Sequence, residues 1–181
     1  EYLEDSRGVP VTWLEPDRCG PLAPDTLRAA LAAGGVAVAS VMWANNEVGS
    51  LQPIEEIVAL LSEYDIPFHS DAVQAVGAVP VDFAASGVDA LTFTGHKVGG
   101  PYGVGALVVR RDLAVAALLH GGGQERDIRS GTLDVPAIAG LAAAVEASVK
   151  GQHEYAVRVA QLRDDLVRRV IEVVPAGHLH G

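Results

Sequence analysis

"LTFTGHKVGGPYGVG", residues 91–105, joins an apolar run to a stretch holding five glycines, with His96 and Lys97 at the junction. The chain has only two lysines, Lys97 and Lys150, so the position of one of them at such a junction calls for a reason. The run "VDALTF" that leads into it does not alternate, which is the pattern of a strand covered on both faces, as in a parallel sheet. "VGALVVR" resumes as a further strand after the glycines. Working outward, "IPFHSDA" predicts another strand ending in polar residues, and "VAVASVMWAN" one more.

Helical stretches alternate with these strands. Thr26 to Ala33 repeats Leu and Ala at helical spacing, ends at Gly34-Gly35, and has Asp25 placed to cap its first turn. Pro53 opens a second helix whose apolar stripe is Ile54, Ile57, Val58 and Leu61. A third begins at Pro136, where Asp134 is placed as its cap. After Gly151 a long amphipathic helix carries Tyr155, Val159, Leu162, Leu166, Val170 and Val173 toward Pro175. The fold class expected is therefore α/β: a mostly parallel sheet with helices on both faces, leading into a long C-terminal helix. Residues 1–150 carry this alternation of strands and helices, and 151–181 the long helix.

Composition excludes several functions. A net charge of -10 argues against nucleic acid or anionic membrane as a partner, since both draw on Lys and Arg in quantity. The longest strongly apolar run, Val36 to Trp43, falls far short of the roughly 20 residues of a membrane helix. A lone cysteine, Cys19, makes no intrachain disulfide, which fits a reducing cytoplasm. The only methionine is Met42, so residue 1 is not a translation start, and the chain is expected to be a piece of a longer protein.

Three polar clusters follow the strand-like runs: "NNE" at 45–47, "HSDAVQ" at 69–74 and "TGHK" at 94–97. A parallel sheet brings all three to one edge, where ligands of such folds bind. A lysine there, partly desolvated, is a usable nucleophile toward an aldehyde, which is Schiff-base chemistry; taken alone, without its neighbours, Lys97 reads rather as a turn lysine reaching water. Asp71 near a pyridine nitrogen would keep that nitrogen protonated, because unit charges about 4 Å apart at an effective dielectric near 20 interact by roughly 4 kcal/mol. That lysine and aspartate pairing marks pyridoxal phosphate sites. Asp71 alone also reads as a helix cap. Gln74 is placed to donate to a ring hydroxyl. "ERDIRSGT" offers Arg126, Arg129, Ser130 and Thr132 to a phosphate or carboxylate, or a solvated loop.

Competing motifs are incomplete. Neither a full G-x-G-x-x-G nor a G-x-x-x-x-G-K-[ST] is present, "HGGGQ" at 120–124 lacks the G-x-S-x-G partner of a lipase, and His69, Asp71, His96 and His120 lack tight metal-ligand spacing.

"NNEVG", "HSDAVQAVG", "TGHKVGGPYGVGAL" and "HGGGQERDIRSGT" together resemble the cysteine desulfurases of the NifS/IscS type, fold-type I pyridoxal phosphate enzymes of the class V aminotransferase group. The resemblance is strong over residues 36–145 and implies pyridoxal 5′-phosphate as cofactor and L-cysteine as substrate. It implies that Lys97 holds the cofactor covalently, Asp71 pairs with the ring nitrogen, and Gln74 and Asn46 contact the ring hydroxyl and the substrate side. Thr94 and His96 are implied as phosphate contacts. Thr132 is implied to reach the phosphate of the other subunit, hence a homodimer. "KVGGPYG" departs from the commoner K-x-Y-G-P-K-G, which leaves the contacts of that loop open. The persulfide-forming cysteine is expected beyond Gly181, since Cys19 lies on the wrong side of Lys97, and the segment alone is expected to be inactive. The resemblance also implies a role in supplying sulfur for iron-sulfur cluster assembly, with a scaffold or other sulfur-acceptor protein as partner. Another class V enzyme, such as an aminotransferase or selenocysteine lyase, or a non-catalytic binding protein on the same fold, remains open at this point.

Overall fold

The computed structural model describes residues 2–16 and 20–180, so the reading of Cys19 lies outside the described residues. Nine elements carry the chain: α1 (Tyr2–Arg7), α2 (Pro24–Ala32), β1 (Ala39–Met42), α3 (Ile54–Ser62), β2 (Phe68–Asp71), α4 (Phe83–Ser86), β3 (Ala90–Thr94), β4 (Gly105–Val109) and α5 (Val135–Val173).

The four strands form one sheet in the order β1-β2-β3-β4. β1, β2 and β3 run parallel, with Met42 opposite Asp71 and Asp71 opposite Thr92. The ladder extends past the strand ends through Trp43 N–H to Asp71 O (2.7 Å) and Ala72 N–H to Thr92 O (2.9 Å). The carboxyl ends of three strands therefore meet at one edge, as the sequence implied. β4 returns antiparallel to β3. Ten residues without an α-helix connect β3 to β4, too few for the crossover that a parallel partner needs.

Side chains alternate across the strands and divide the sheet into two unlike faces. Phe68, Ser70 and Leu91 point to one face and are buried there with Leu27 and Leu31 of α2 and Ile54, Ile57, Leu60 and Leu61 of α3. Full burial of each large apolar side chain stabilises the fold by about 1.5–3 kcal/mol. α5 flanks the same side, where its Val145 and Val149 share a cleft with Leu91, Phe93 and Val108. The opposite face carries Ser40, His69, Asp71 and Thr92, and Leu107 is half-exposed on it. α2, α3 and α5 cover the apolar face, while the polar row lines the other.

Local signals held in part. Asp134 caps α5 by accepting from Ala137 N–H (3.1 Å), and Asp82 caps α4 through Ala85 N–H (3.0 Å). Asp25 instead sits inside the first turn of α2, whose N-cap is Ala23, so it contributes through the helix dipole rather than as a cap. α5 runs unbroken for 39 residues across Gly151, joining the two helices expected on either side of it. No described helix is long and apolar enough to cross a membrane.

Candidate active site

The turn that follows β3 is built by its glycines. Gly95 N–H donates to Val104 O (2.9 Å), while Gly95 O accepts from both Val98 N–H (3.0 Å) and Gly100 N–H (2.8 Å). A Cβ on Gly95 would lie 2.7 Å from Pro101 O, so no other residue fits there without moving backbone. This clamp winds Gly95–Lys97 into one 3₁₀ turn and sets Lys97 just beyond the carboxyl edge of the sheet. Gly100 packs close under α5, where a Cβ would come 3.0 Å from the Cβ of Ala144.

Lys97 and Gln74 line one cleft of about 470 Å³, with Val73, Gly77, Val98 and Gly99 on the sheet side and Ala147, Ser148, Gly151 and Tyr155 of α5 opposite. Lys97 itself is exposed. The partial desolvation expected of it is thus not supplied by the described residues, because little besides α5 overhangs the edge.

Asp71 stands at the same edge but does not line that cleft. Its Oδ1 accepts from Val73 N–H (2.9 Å), which closes a local turn rather than the helix cap that was the alternative reading, since no helix begins there. It shares its sheet face with His69 and Thr92, and Thr94 follows on that face two residues later. Thr94 Oγ1 donates to Val104 O (3.2 Å) and contacts His96 Nδ1 (3.1 Å). Asn46 is exposed in the turn after β1, a turn shaped by its neighbour Asn45, whose Oδ1 accepts from Glu47 and Val48 N–H. Thr132 is exposed in a separate loop closed by Gln124, whose Oε1 accepts from Gly131 N–H (2.9 Å). The fold therefore assembles Asp71, Gln74, Thr94, His96 and Lys97 at one edge, and does not bring Thr132 among the residues lining the Lys97 cleft.

His69 was weighed in the sequence only as a metal ligand, and its role between the strands was not foreseen. His69 bridges three strands, with Nδ1 2.8 Å from Ser40 Oγ on β1 and Nε2 3.2 Å from Thr92 Oγ1 on β3. Burial pushes its imidazole below the ordinary histidine range, and the nearby Asp71 carboxylate partly offsets this. The signal available was the alternation of Phe68, His69, Ser70 and Asp71, which sets His69 on the same face as Asp71.

The Aminotransferase class-V family signature matches residues 1–175. The chain belongs to the class V aminotransferase family. Among its relatives, an IscS-like cysteine desulfurase of Mycobacterium tuberculosis is 49% identical over 99% of this chain, which spans 46% of that protein. The solved NifS-like protein of Rickettsia africae superposes with a TM-score of 0.84 at 34% identity, over 88% of this chain and 45% of that one. A structure described as SspA in complex with cysteine superposes at 0.74 with 40% identity, over 78% of this chain and 41% of its own. The chain thus spans less than half the length of the relatives it matches.

The cofactor of this class V group is pyridoxal 5′-phosphate. The residues at the edge fit it by donor type: an amine for the aldehyde, a carboxylate for the ring nitrogen, an amide for the ring hydroxyl, and a hydroxyl and imidazole for the phosphate.

Proposed function

We propose that this chain is the central cofactor-binding segment of a cysteine desulfurase, which converts L-cysteine to L-alanine and passes the sulfur to an enzyme cysteine as a persulfide. The observation that carries the reading is Lys97, held on a glycine-clamped turn, sharing a cleft with Gln74 at the edge that Asp71 and Thr94 also reach. The names of the relatives support the same activity.

When bound, pyridoxal phosphate supplies an electron sink for the bonds around the substrate α-carbon. The chain's own residues act around it. Lys97 would hold the cofactor through its amine, and that amine, when free, would be placed to carry protons. Asp71 holds a proton on the ring nitrogen. Gln74 and Asn46 orient the ring hydroxyl and the substrate side, and Thr94 and His96 hold the phosphate. The sulfur-accepting cysteine belongs, in this reading, to the part of the protein beyond this span. There cysteine loses its sulfur to that thiol and leaves as alanine, so that one S–S bond forms for each C–S bond broken and the displaced proton returns to the methyl carbon.

The same reading takes the protein as a cytoplasmic homodimer in which Thr132 reaches the partner's cofactor, with α5 leading into a smaller domain after residue 150. It takes an iron-sulfur scaffold or another protein as the acceptor of sulfur. The test is product analysis on the complete polypeptide with pyridoxal phosphate and L-cysteine. One alanine per transferred sulfur, abolished by Lys97→Ala, supports it; transfer of the amino group to a 2-oxo acid without release of sulfur contradicts it.

A further inference from the structure

The loop in which this chain departs from the commoner family pattern places Tyr102 against His96. The two rings stack with centroids 5.5 Å apart and planes 8° from parallel. Tyr102 is 86% exposed, so burial does not account for where its ring lies. The stack itself, an electrostatic and dispersive contact, does.

Hydrogen bonding then assigns the two imidazole nitrogens. Thr94 has one hydroxyl proton, and it donates to Val104 O. With that bond made, Thr94 Oγ1 can only accept from His96, so Nδ1 carries hydrogen. Nε2, across the ring, then holds a lone pair in the neutral imidazole. It donates to an anion only after the ring gains a proton, and a phosphate ester is best held by such a charge-assisted bond. The groups around His96 do not oppose that charge strongly. Thr94 of β3 is neutral, Tyr102 presents its ring face, and α5 meets this turn with Ala144, Ala147 and Ser148; the one neighbouring cation is Lys97 on the same turn.

We propose that Tyr102 is a positioning residue that fixes His96 so that Nδ1–H is committed to Thr94 and Nε2 receives the cofactor phosphate as an imidazolium, taking up one proton on binding. This rests on the phosphate role given to His96 above and adds to it a protonation state and a residue, Tyr102, that holds it.

The test uses the complete polypeptide and two probes: pyridoxine 5′-phosphate, an alcohol that cannot condense with Lys97, and pyridoxine, which lacks the phosphate. Calorimetry at about pH 8, where free imidazole is neutral, in buffers of different ionisation enthalpy counts the protons taken up. Expected is one more proton for the native protein than for His96→Gln with the phosphate ester. Tyr102→Leu weakens the ester by about two- to tenfold without changing pyridoxine, and Tyr102→Phe restores it. Weaker ester binding by His96→Gln with an equal proton count overturns the imidazolium while leaving the phosphate role standing. Tyr102→Leu binding the ester as the native protein does overturns the positioning role. His96→Gln with unchanged affinity for the ester removes the phosphate role and this proposal together.

Discussion

His69 and Asp71 stand two residues apart on one face of β2, and the Asp71 carboxylate acts on the His69 imidazole in the opposite sense to burial: desolvation lowers the imidazole and the carboxylate raises it, with desolvation the larger. The folded protein therefore holds fewer protons on His69 than the unfolded chain does. Stability is greatest above the ordinary value of 6.5 and falls as the pH drops through 6.5 toward the lower folded value, below which the loss is complete. Urea midpoints measured between about pH 7.5 and 5 should decline, and His69→Gln should flatten the part of that decline due to this residue. An identical decline in the variant would show that other groups cause it.

The turn holding Lys97 distinguishes two glycines. Gly95→Ala forces a Cβ to 2.7 Å from Pro101 O and should cost about 1–3 kcal/mol. Gly99→Ala meets no atom within 4 Å and bears only the strain of its positive φ of 80°, about 1–2 kcal/mol. The first should also displace Lys97 and weaken cofactor binding, whereas the second, at a glycine that lines the cleft without holding the turn, should weaken binding less. Thermal melts paired with cofactor titrations separate the two effects.

Phe68 is 2% exposed beneath α2 and α3. Phe68→Ala should destabilise the sheet by about 3–5 kcal/mol, read from denaturant unfolding. A cost below about 1 kcal/mol would mean that the core relaxes around it far more than its packing allows.

Asp71→Asn keeps the size of the side chain and removes its charge. If the carboxylate protonates a pyridine ring, the interaction at stake is roughly 4 kcal/mol by the Coulomb estimate, so turnover of L-cysteine by the complete polypeptide should fall by about a thousandfold. Asp71→Glu should recover part of this. A variant of near-native activity would assign Asp71 to its turn with Val73 alone.

Much of this molecule is legible in its sequence because a strand that lines a core must carry apolar residues on that face, as Val41, Phe68, Leu91 and Phe93 do in the runs ending at Met42, Asp71 and Thr94. Their convergence at one edge follows from parallel pairing, which is why Asp71, Gln74 and Lys97 could be named together. The direction of β4 was also within reach, since the short connection from Thr94 to Gly105 excludes a crossover. The continuity of α5 was not, because a single glycine costs a long helix only about 1 kcal/mol and flanking turns outweigh it. Nor were the row formed by Ser40, His69 and Thr92 and the stack of Tyr102 on His96 accessible: both depend on register and ring orientation, which spacing along the chain does not encode.

The central claim is that the Lys97 amine carries the cofactor. Borohydride reduction of the complete polypeptide loaded with pyridoxal phosphate, followed by peptide mapping by mass spectrometry, tests it directly. The account predicts a phosphopyridoxyl group on the peptide containing Lys97; its appearance on Lys150, or an undiminished yield in Lys97→Ala, would contradict it.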